Sequence, residues 1–334
     1  MLNLKILKCP IGKMLLVAGF MSIPVFSQTT QQIARFEART FTATNSVTLP
    51  YRLFIPVNYN AAIRYPLMTA LHGNGERGSD NTRQFSLNVA KQWIADSVQA
   101  RVPHFILAPH TAVGWTDLAQ RTVVMEIIAA LKKEFSLDTT RFYISGLSAG
   151  AMGTWNLIKD YPTVFAAAVP CSGSLFGNNN VTTIVRTPFW AFHGDADETV
   201  NVSGTRDIVT AVEKLGYPVV RYISSQYRVN PTVVSNDSLA KAVKGGANFL
   251  YSEIIGGNHF AGWNEGWAHP LIPGWVFSKT KPASTTGIVL TPKNSHHRAF
   301  SSTDLFFFSL DGKRIDSRPG VSIRNMPVLL VERP

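Results

Sequence analysis

Phe142-Tyr-Ile-Ser145-Gly146-Leu147-Ser148-Ala149-Gly150-Ala-Met-Gly153 is the stretch on which the fold turns. Residues 142–144 are apolar and β-prone and Ser145 extends the run, and residues 149–159 carry helical spacing, so the segment reads as strand, sharp turn, helix. The turn itself fits G-x-S-x-G. Alone that pentapeptide arises by chance in about one chain in ten of this length, so the flanks decide its meaning. A turn this tight forces Ser148 into a strained conformation and leaves no room for a Cβ at 146 or 150. Gly153 lets the helix approach the sheet. The arrangement lifts the Ser148 hydroxyl clear and aims a helix N-terminus at it, which favours a developing oxyanion. The competing reading is a glycine-rich βα turn with no chemistry.

Working outward, the same pattern repeats. Tyr65–Leu71 and residues 105–108, 165–169 and 189–192 are short, nearly continuous apolar runs, the mark of buried central strands. Residues 51–56 and 248–255 also read as strands. Helical spacing appears at 85–98, at 121–135 with Val124, Ile127, Ile128 and Leu131 in one stripe, and at 203–214 with Ile208, Val209 and Val212 inward. About six alternations imply a mostly parallel sheet with helices on both faces. Residues 223–247, polar and glycine-containing, read as an insertion and candidate lid.

A serine needs a base and an orienting acid to act as a nucleophile, and on this fold they follow it in the order acid, histidine. The strand FWAF ends in His193-Gly194-Asp195-Ala196-Asp197-Glu198-Thr199-Val200. Asp197 is the first candidate acid and Asp195 the second, the spare carboxylate serving as a loop hydrogen-bonder. The strand NFLYSEII ends in Gly256-Gly257-Asn258-His259, which makes His259 the candidate base ahead of His269 and the pair His296-His297. One oxyanion donor is the N–H of Ala149. The second belongs to the loop Leu71-His72-Gly73-Asn74-Gly75-Glu76-Arg77-Gly78-Ser79-Asp80-Asn81, from Asn74 or Gly73, with Glu76 and Arg77 bracing it. That loop lacks the G-K-[ST] of a P-loop and the G-x-G-x-x-G of a dinucleotide site. No metal or organic cofactor is called for, since the histidines are not at zinc-ligand spacing. Trp115, Trp263, Trp267 and Trp275 lie at or near strand ends. They are candidates to line a sugar- or aromatic-binding cleft, and core packing is the alternative.

Four motifs in this order (the His72 loop, the Ser148 turn, His-Gly-Asp-Ala-Asp-Glu-Thr-Val and Gly-Gly-Asn-His) resemble those of α/β-hydrolase serine esterases over about residues 40–278. The nearest likeness is to the bacterial phospholipase/carboxylesterase-like "predicted peptidase" group, related to feruloyl and acetylxylan esterases and polyhydroxybutyrate depolymerases. The resemblance implies an α/β-hydrolase fold and ester hydrolysis through an acyl-enzyme. It maps the acid to Asp197, the base to His259 and the oxyanion residue to Asn74. Two departures stand out. Relatives usually carry a small residue at the place of Asn74, and their Trp follows the His by three residues, where Trp263 follows His259 by four. The expected substrate is a small-molecule or polysaccharide-linked ester, including acetyl or feruloyl esters of plant polysaccharides. The alternatives are a peptidase-like hydrolase, or a catalytically silent glycan-binding protein on the same fold.

The 334 residues carry 32 Lys or Arg against 21 Asp or Glu, a net charge of +11, which raises nucleic acid as a partner. The distribution argues against it. Residues 1–27 hold three Lys and no acid, and residues 279–334 hold nine basic and four acidic residues, so residues 28–278 carry only +3. Residues 1–27 read as a secretory signal peptide: Lys5, Lys8 and Lys13, an apolar run from Met14, then Val25 and Ser27 before a cleavage site at Gln28. Nothing later is apolar and long enough for stable membrane insertion. Cleavage would leave Cys171 as the one cysteine, a buried residue at a strand end. Residues 28–278 are the expected catalytic domain and 279–302 a linker. Residues 303–334 are expected to form a small C-terminal β module. Its sequence is similar in part to export modules of secreted Bacteroidetes proteins, and a plain packed hairpin is the alternative.

Overall fold

A computed structural model describes residues 30–175, 181–223 and 236–281, together with three short strands between 306 and 331. The expected signal peptide and most of the expected linker lie outside the described residues. The chain divides into two compact units, Met1–Ile288 and Val289–Pro334.

The first unit is organised by nine strands: β1 Glu37–Thr42, β2 Thr48–Phe54, β3 Tyr65–Leu71, β4 Phe105–Pro109, β5 Leu137–Leu147, β6 Ala167–Cys171, β7 Phe189–Gly194, β8 Val220–Ile223 and β9 Phe249–Ile254. The helices are α1 Thr30–Ile33, α2 Lys91–Ile94, α3 Asp96–Gln99, α4 Leu118–Glu134, α5 Ala149–Asp160, α6 Ser203–Lys214, α7 Asn236–Lys244, α8 Ala261–Ala268 and α9 Ile272–Ser278. The strands lie in the order β1-β2-β4-β3-β5-β6-β7-β9-β8. β1 with β2 and β2 with β4 are antiparallel, and the other pairs are parallel.

Every residue of β3, β4, β6 and β7 is buried, as it must be when both faces of a parallel sheet are covered. Alternation along the strands divides the core in two. Leu67, Leu71, Leu107, Ile144 and Ala191 join Val124 of α4, Trp155 of α5 and Val209 of α6. Met68, Ala70, Ile106, Tyr143 and Trp190 join Trp93 of α2, Trp263 of α8 and Trp275 of α9. The expected α4 stripe is buried in the first layer. Each such aliphatic side chain contributes about 1.5–3 kcal/mol. Asp117 caps α4 by accepting the Gln120 N–H at 3.0 Å, while Lys132 and Lys133 sit in its last turn.

Three expectations are corrected. The helix over 85–98 is replaced by a 3-10 turn, Arg83–Phe85, followed by the short α2 and α3. Asn88 takes a positive φ of 54° and Ala95 an extended ψ of 131°, and each breaks a helical run. Phe85, Val89, Trp93 and Ile94 still reach the core, so the apolar spacing reported burial rather than one helix. The strand at 165–169 begins two residues later, because pairing with β5 sets Tyr143 opposite Ala167 and Leu147 opposite Cys171. The supposed insertion at 223–247 contains α7, the crossover between the parallel neighbours β8 and β9. Residues 224–235 lie outside the described residues.

The first unit continues past Ser278. The Tyr143 hydroxyl donates to the Lys279 carbonyl at 2.8 Å, and the Lys281 N–H donates to Thr140 at 2.9 Å. The second unit contains an antiparallel sheet of β10 Phe306–Ser309, β11 Arg314–Ile315 and β12 Val328–Val331, in the order β11-β10-β12. Among the described residues no helix is long and apolar enough to cross a membrane.

Candidate active site

The site lies where β5, β7 and β9 end. At the end of β5 the backbone of Ser148 turns to φ 52°, ψ −118°, the left-handed strain expected at the tip of this turn. Its N–H donates to the Cys171 carbonyl at 2.9 Å, which ties the turn to the neighbouring strand β6. A Cβ on Gly146 would run into the Gly150 carbonyl, and one on Gly150 into the Leu71 carbonyl. A Cβ on Gly153 would strike Trp115. The flanking glycines are therefore steric necessities, and α5 starts at Ala149 directly behind the hydroxyl.

Two loops bring the remaining groups to Ser148. Its hydroxyl donates to His259 Nε2 at 2.9 Å, and His259 Nδ1–H donates to Asp197 Oδ2 at 2.7 Å. The other carboxylate oxygen, Oδ1, accepts the N–H groups of Thr199 at 2.9 Å and Val200 at 2.8 Å. Burial by itself would raise the Asp197 carboxyl. The Val200 N–H, His259 and the Thr199 N–H outweigh it and hold the group below the ordinary carboxylate range. Asp195 instead accepts the Gly256 N–H at 2.6 Å, bracing the loop that carries His259. His269 packs 5.0 Å from Trp190 and makes no contact with Ser148. His296 and His297 lie outside the described residues.

The loop after β3 forms a 3-10 turn, Asn74–Glu76. Two buried histidines hold it. His72 Nδ1–H donates to Gly73 O at 2.7 Å while Nε2 accepts the Thr111 N–H at 3.1 Å. His110 Nε2–H donates to Glu76 O at 2.8 Å while Nδ1 accepts the Asn81 N–H at 3.1 Å. Each ring is therefore neutral, with its tautomer fixed by main chain. Burial lowers the His72 pKa to about 3. The Glu76 side chain is buried beneath Gly73, and burial raises its carboxyl. Sequence reasoning missed both histidines. The available signal was a histidine directly following a buried strand run, at Leu71-His72 and at Pro109-His110.

The reading of Trp115, Trp263 and Trp267 as cleft lining is corrected, since all three are buried. Trp115 donates its indole N–H to His72 O at 2.9 Å and so supports the loop from below. Trp263 meets the His259 imidazole edge-to-face at 5.0 Å, and Phe260, 5.2 Å from Trp263, is the exposed aromatic beside it. Trp275 is fully buried, and so is the free thiol of Cys171, as expected. Among the described residues no His, Cys, Asp or Glu cluster could hold a metal ion.

Residues 49–188 match the family described as "Esterase PHB depolymerase". The chain is 32% identical over 148 residues to a bifunctional acetylxylan esterase/xylanase of Neocallimastix patriciarum, covering 42% of this chain and 21% of that protein. It is 33% identical over 76 residues to poly(3-hydroxyalkanoate) depolymerase C of Paucimonas lemoignei, covering 23% of this chain and 18% of that one. It thus spans about a fifth of the length of these curated relatives. Among solved structures, a thermostable esterase aligns with a TM-score of 0.63 at 29% identity, over 75% of this chain and 64% of that one. A feruloyl esterase module from Clostridium thermocellum complexed with sinapinate aligns with a TM-score of 0.54 at 16% identity, over 79% and 97% of the two chains. The fold is that of an α/β-hydrolase, and the chain is related in sequence to esterases.

Proposed function

We propose that this α/β-hydrolase, with its sequence relationship to esterases as premise, is a serine hydrolase that cleaves carboxylic esters through an acyl-enzyme. The observation that carries the reading is the unbroken chain from Ser148 Oγ through His259 to Asp197 Oδ2, mounted on a strained turn at the head of α5. His259 Nε2 takes the hydroxyl proton as Ser148 attacks the ester carbonyl. Asp197 keeps Nδ1 protonated and offsets the imidazolium charge that forms. The N–H groups of Ala149 and Asn74 receive the tetrahedral oxyanion. The imidazolium then gives its proton to the leaving alcohol, and water repeats the sequence to release the acid.

The substrate we assign is an ester on a small molecule or a polysaccharide, acetyl or feruloyl. The acetylxylan esterase relative supports this reading. Export through the leader at residues 1–27 fits a substrate met outside the cell, and the β strands beyond residue 303 form an accessory module. A panel of acetylated xylan, methyl ferulate, short p-nitrophenyl esters and polyhydroxybutyrate, each run with wild type and Ser148→Ala, tests the assignment. Ser148-dependent release of acetate or ferulate is the expected result. Glycan binding without such release, or cleavage of peptides alone, would reject it.

A further inference from the structure

The acid of the site touches a second histidine. His193, the penultimate residue of β7, has no solvent exposure, and its Nε2 lies 3.1 Å from Asp197 Oδ2, the same oxygen that accepts His259 Nδ1–H. Nε2 is also 2.9 Å from the Val200 carbonyl. Both neighbours are acceptors, so this nitrogen must carry a proton. On the far side Nδ1 lies 2.8 Å from Thr205 Oγ1 on α6. Thr205 Oγ1 also donates to Gly173 O at 2.8 Å, a carbonyl whose second lone pair takes the Trp155 indole N–H at 3.3 Å. The single threonine proton is shared between Gly173 O and Nδ1, and in either arrangement Nε2 carries the proton aimed at Asp197 and Val200; when Nδ1 accepts, the ring is neutral. Burial, which lowers the pKa of His193, favours that neutral state over an imidazolium.

We propose that His193 is a positioning residue of the hydrolase: its Nε2–H, fixed by Thr205, orients the Asp197 carboxylate and tempers the charge that Asp197 presents to His259. The proposal rests on the Ser148–His259–Asp197 reading. A carboxylate held only by Thr199, Val200 and His259 would have Oδ2 directed by His259 alone. The second donor on Oδ2 fixes its rotation before the imidazole is engaged. It also disperses negative charge at the atom facing the forming imidazolium. Asp197 and His259 are the ionisable groups bearing on His193, while Thr205, Val200 and Gly173 present neutral oxygens.

The test is the pH profile of kcat/KM for p-nitrophenyl acetate, with kcat and KM separated. His193→Phe keeps an aromatic ring and removes the donor. It is expected to lower kcat about tenfold with KM unchanged, and to move the acid limb up by roughly half a pH unit. His193→Gln, which returns an N–H near the place of Nε2, is expected to restore both. Should the Phe variant fail to fold, Thr205→Val and Thr205→Ser decide. The valine variant should shift the limb in the same direction by less, and the serine variant should behave as wild type. A folded Phe variant with wild-type kcat and acid limb overturns the proposal. So does a Gln variant as impaired as Phe with the limb unmoved, or a Val variant identical to Ser. If wild type shows no Ser148-dependent turnover at all, the hydrolase reading has failed and this proposal falls with it.

Discussion

Acidification from pH 7 to pH 5 should cost this fold about 4 kcal/mol through two histidines alone. His72 and His104 are buried, each with Nδ1–H bonded to a backbone carbonyl, Gly73 and Val102, at 2.7 Å. Nε2 of His72 accepts the Thr111 N–H, and Nε2 of His104 faces Gln99 Nε2 at 3.2 Å. A proton on Nε2 would break these bonds and bury a charge. Burial accordingly lowers the two pKa values to about 3 and about 4. The unfolded chain takes up protons near pH 6.5, so the stability these rings contribute is complete above that value and is lost as pH falls toward the folded pKa. At pH 5 each group has lost about 2 kcal/mol relative to pH 7. His110, His193 and His269, also lowered by burial, act in the same direction, while the raised carboxyl of Glu76 opposes them. The lowered carboxylates Asp197 and Asp138 act mainly below this window, because unfolded carboxylates titrate near pH 4. Urea titrations at pH 7 and pH 5, followed by tryptophan fluorescence, read the difference directly. His104→Gln should remove about half of it. A pH 7 to pH 5 loss below about 1 kcal/mol in wild type would refute the neutral, locked histidines.

Other substitutions separate the roles of neighbouring groups. Asp197→Asn should lower kcat about 10⁴-fold by disturbing the His259 tautomer, whereas Asp195→Asn, whose amide oxygen still accepts the Gly256 N–H, should stay within about tenfold of wild type; steady-state kinetics on p-nitrophenyl acetate distinguishes them. Gly150→Ala places a methyl against the Leu71 carbonyl and should destabilise the protein by about 3 kcal/mol, measured as a shift in urea midpoint. Trp263→Ala should cost about 3–5 kcal/mol of stability by opening a cavity beside His259, while Trp263→Phe should retain most of both stability and kcat.

The strands and the site were legible for one reason: buried β runs and strand-end loops leave local marks. Tyr65–Leu71 is apolar at nearly every position because both its faces are covered, and it is a strand with those bounds. Ser148, Asp197 and His259 each follow such a run, and the structure joins them in one hydrogen-bond chain. The helix over 85–98 was misread because its spacing encodes only burial, while Asn88 and Ala95 break the backbone with conformations the spacing does not show. The tryptophans were misplaced because a ring near a strand end can face a cleft or pack beneath a loop. Only the third dimension assigns Trp115 to the His72 carbonyl. The supporting histidines His72, His110 and His193 were missed because their partners are mostly main-chain groups, which residue identity does not encode. Charge, by contrast, was informative once divided along the chain, since residues 28–278 hold little of the excess.

The central claim is that Ser148 is a nucleophile activated by His259. The direct measurement is incubation with a fluorophosphonate, followed by intact mass and peptide mapping. The account predicts one adduct, on Ser148, formed in wild type, absent in Ser148→Ala and strongly slowed in His259→Ala. An unlabelled wild-type protein, or an adduct on any other serine, would contradict it.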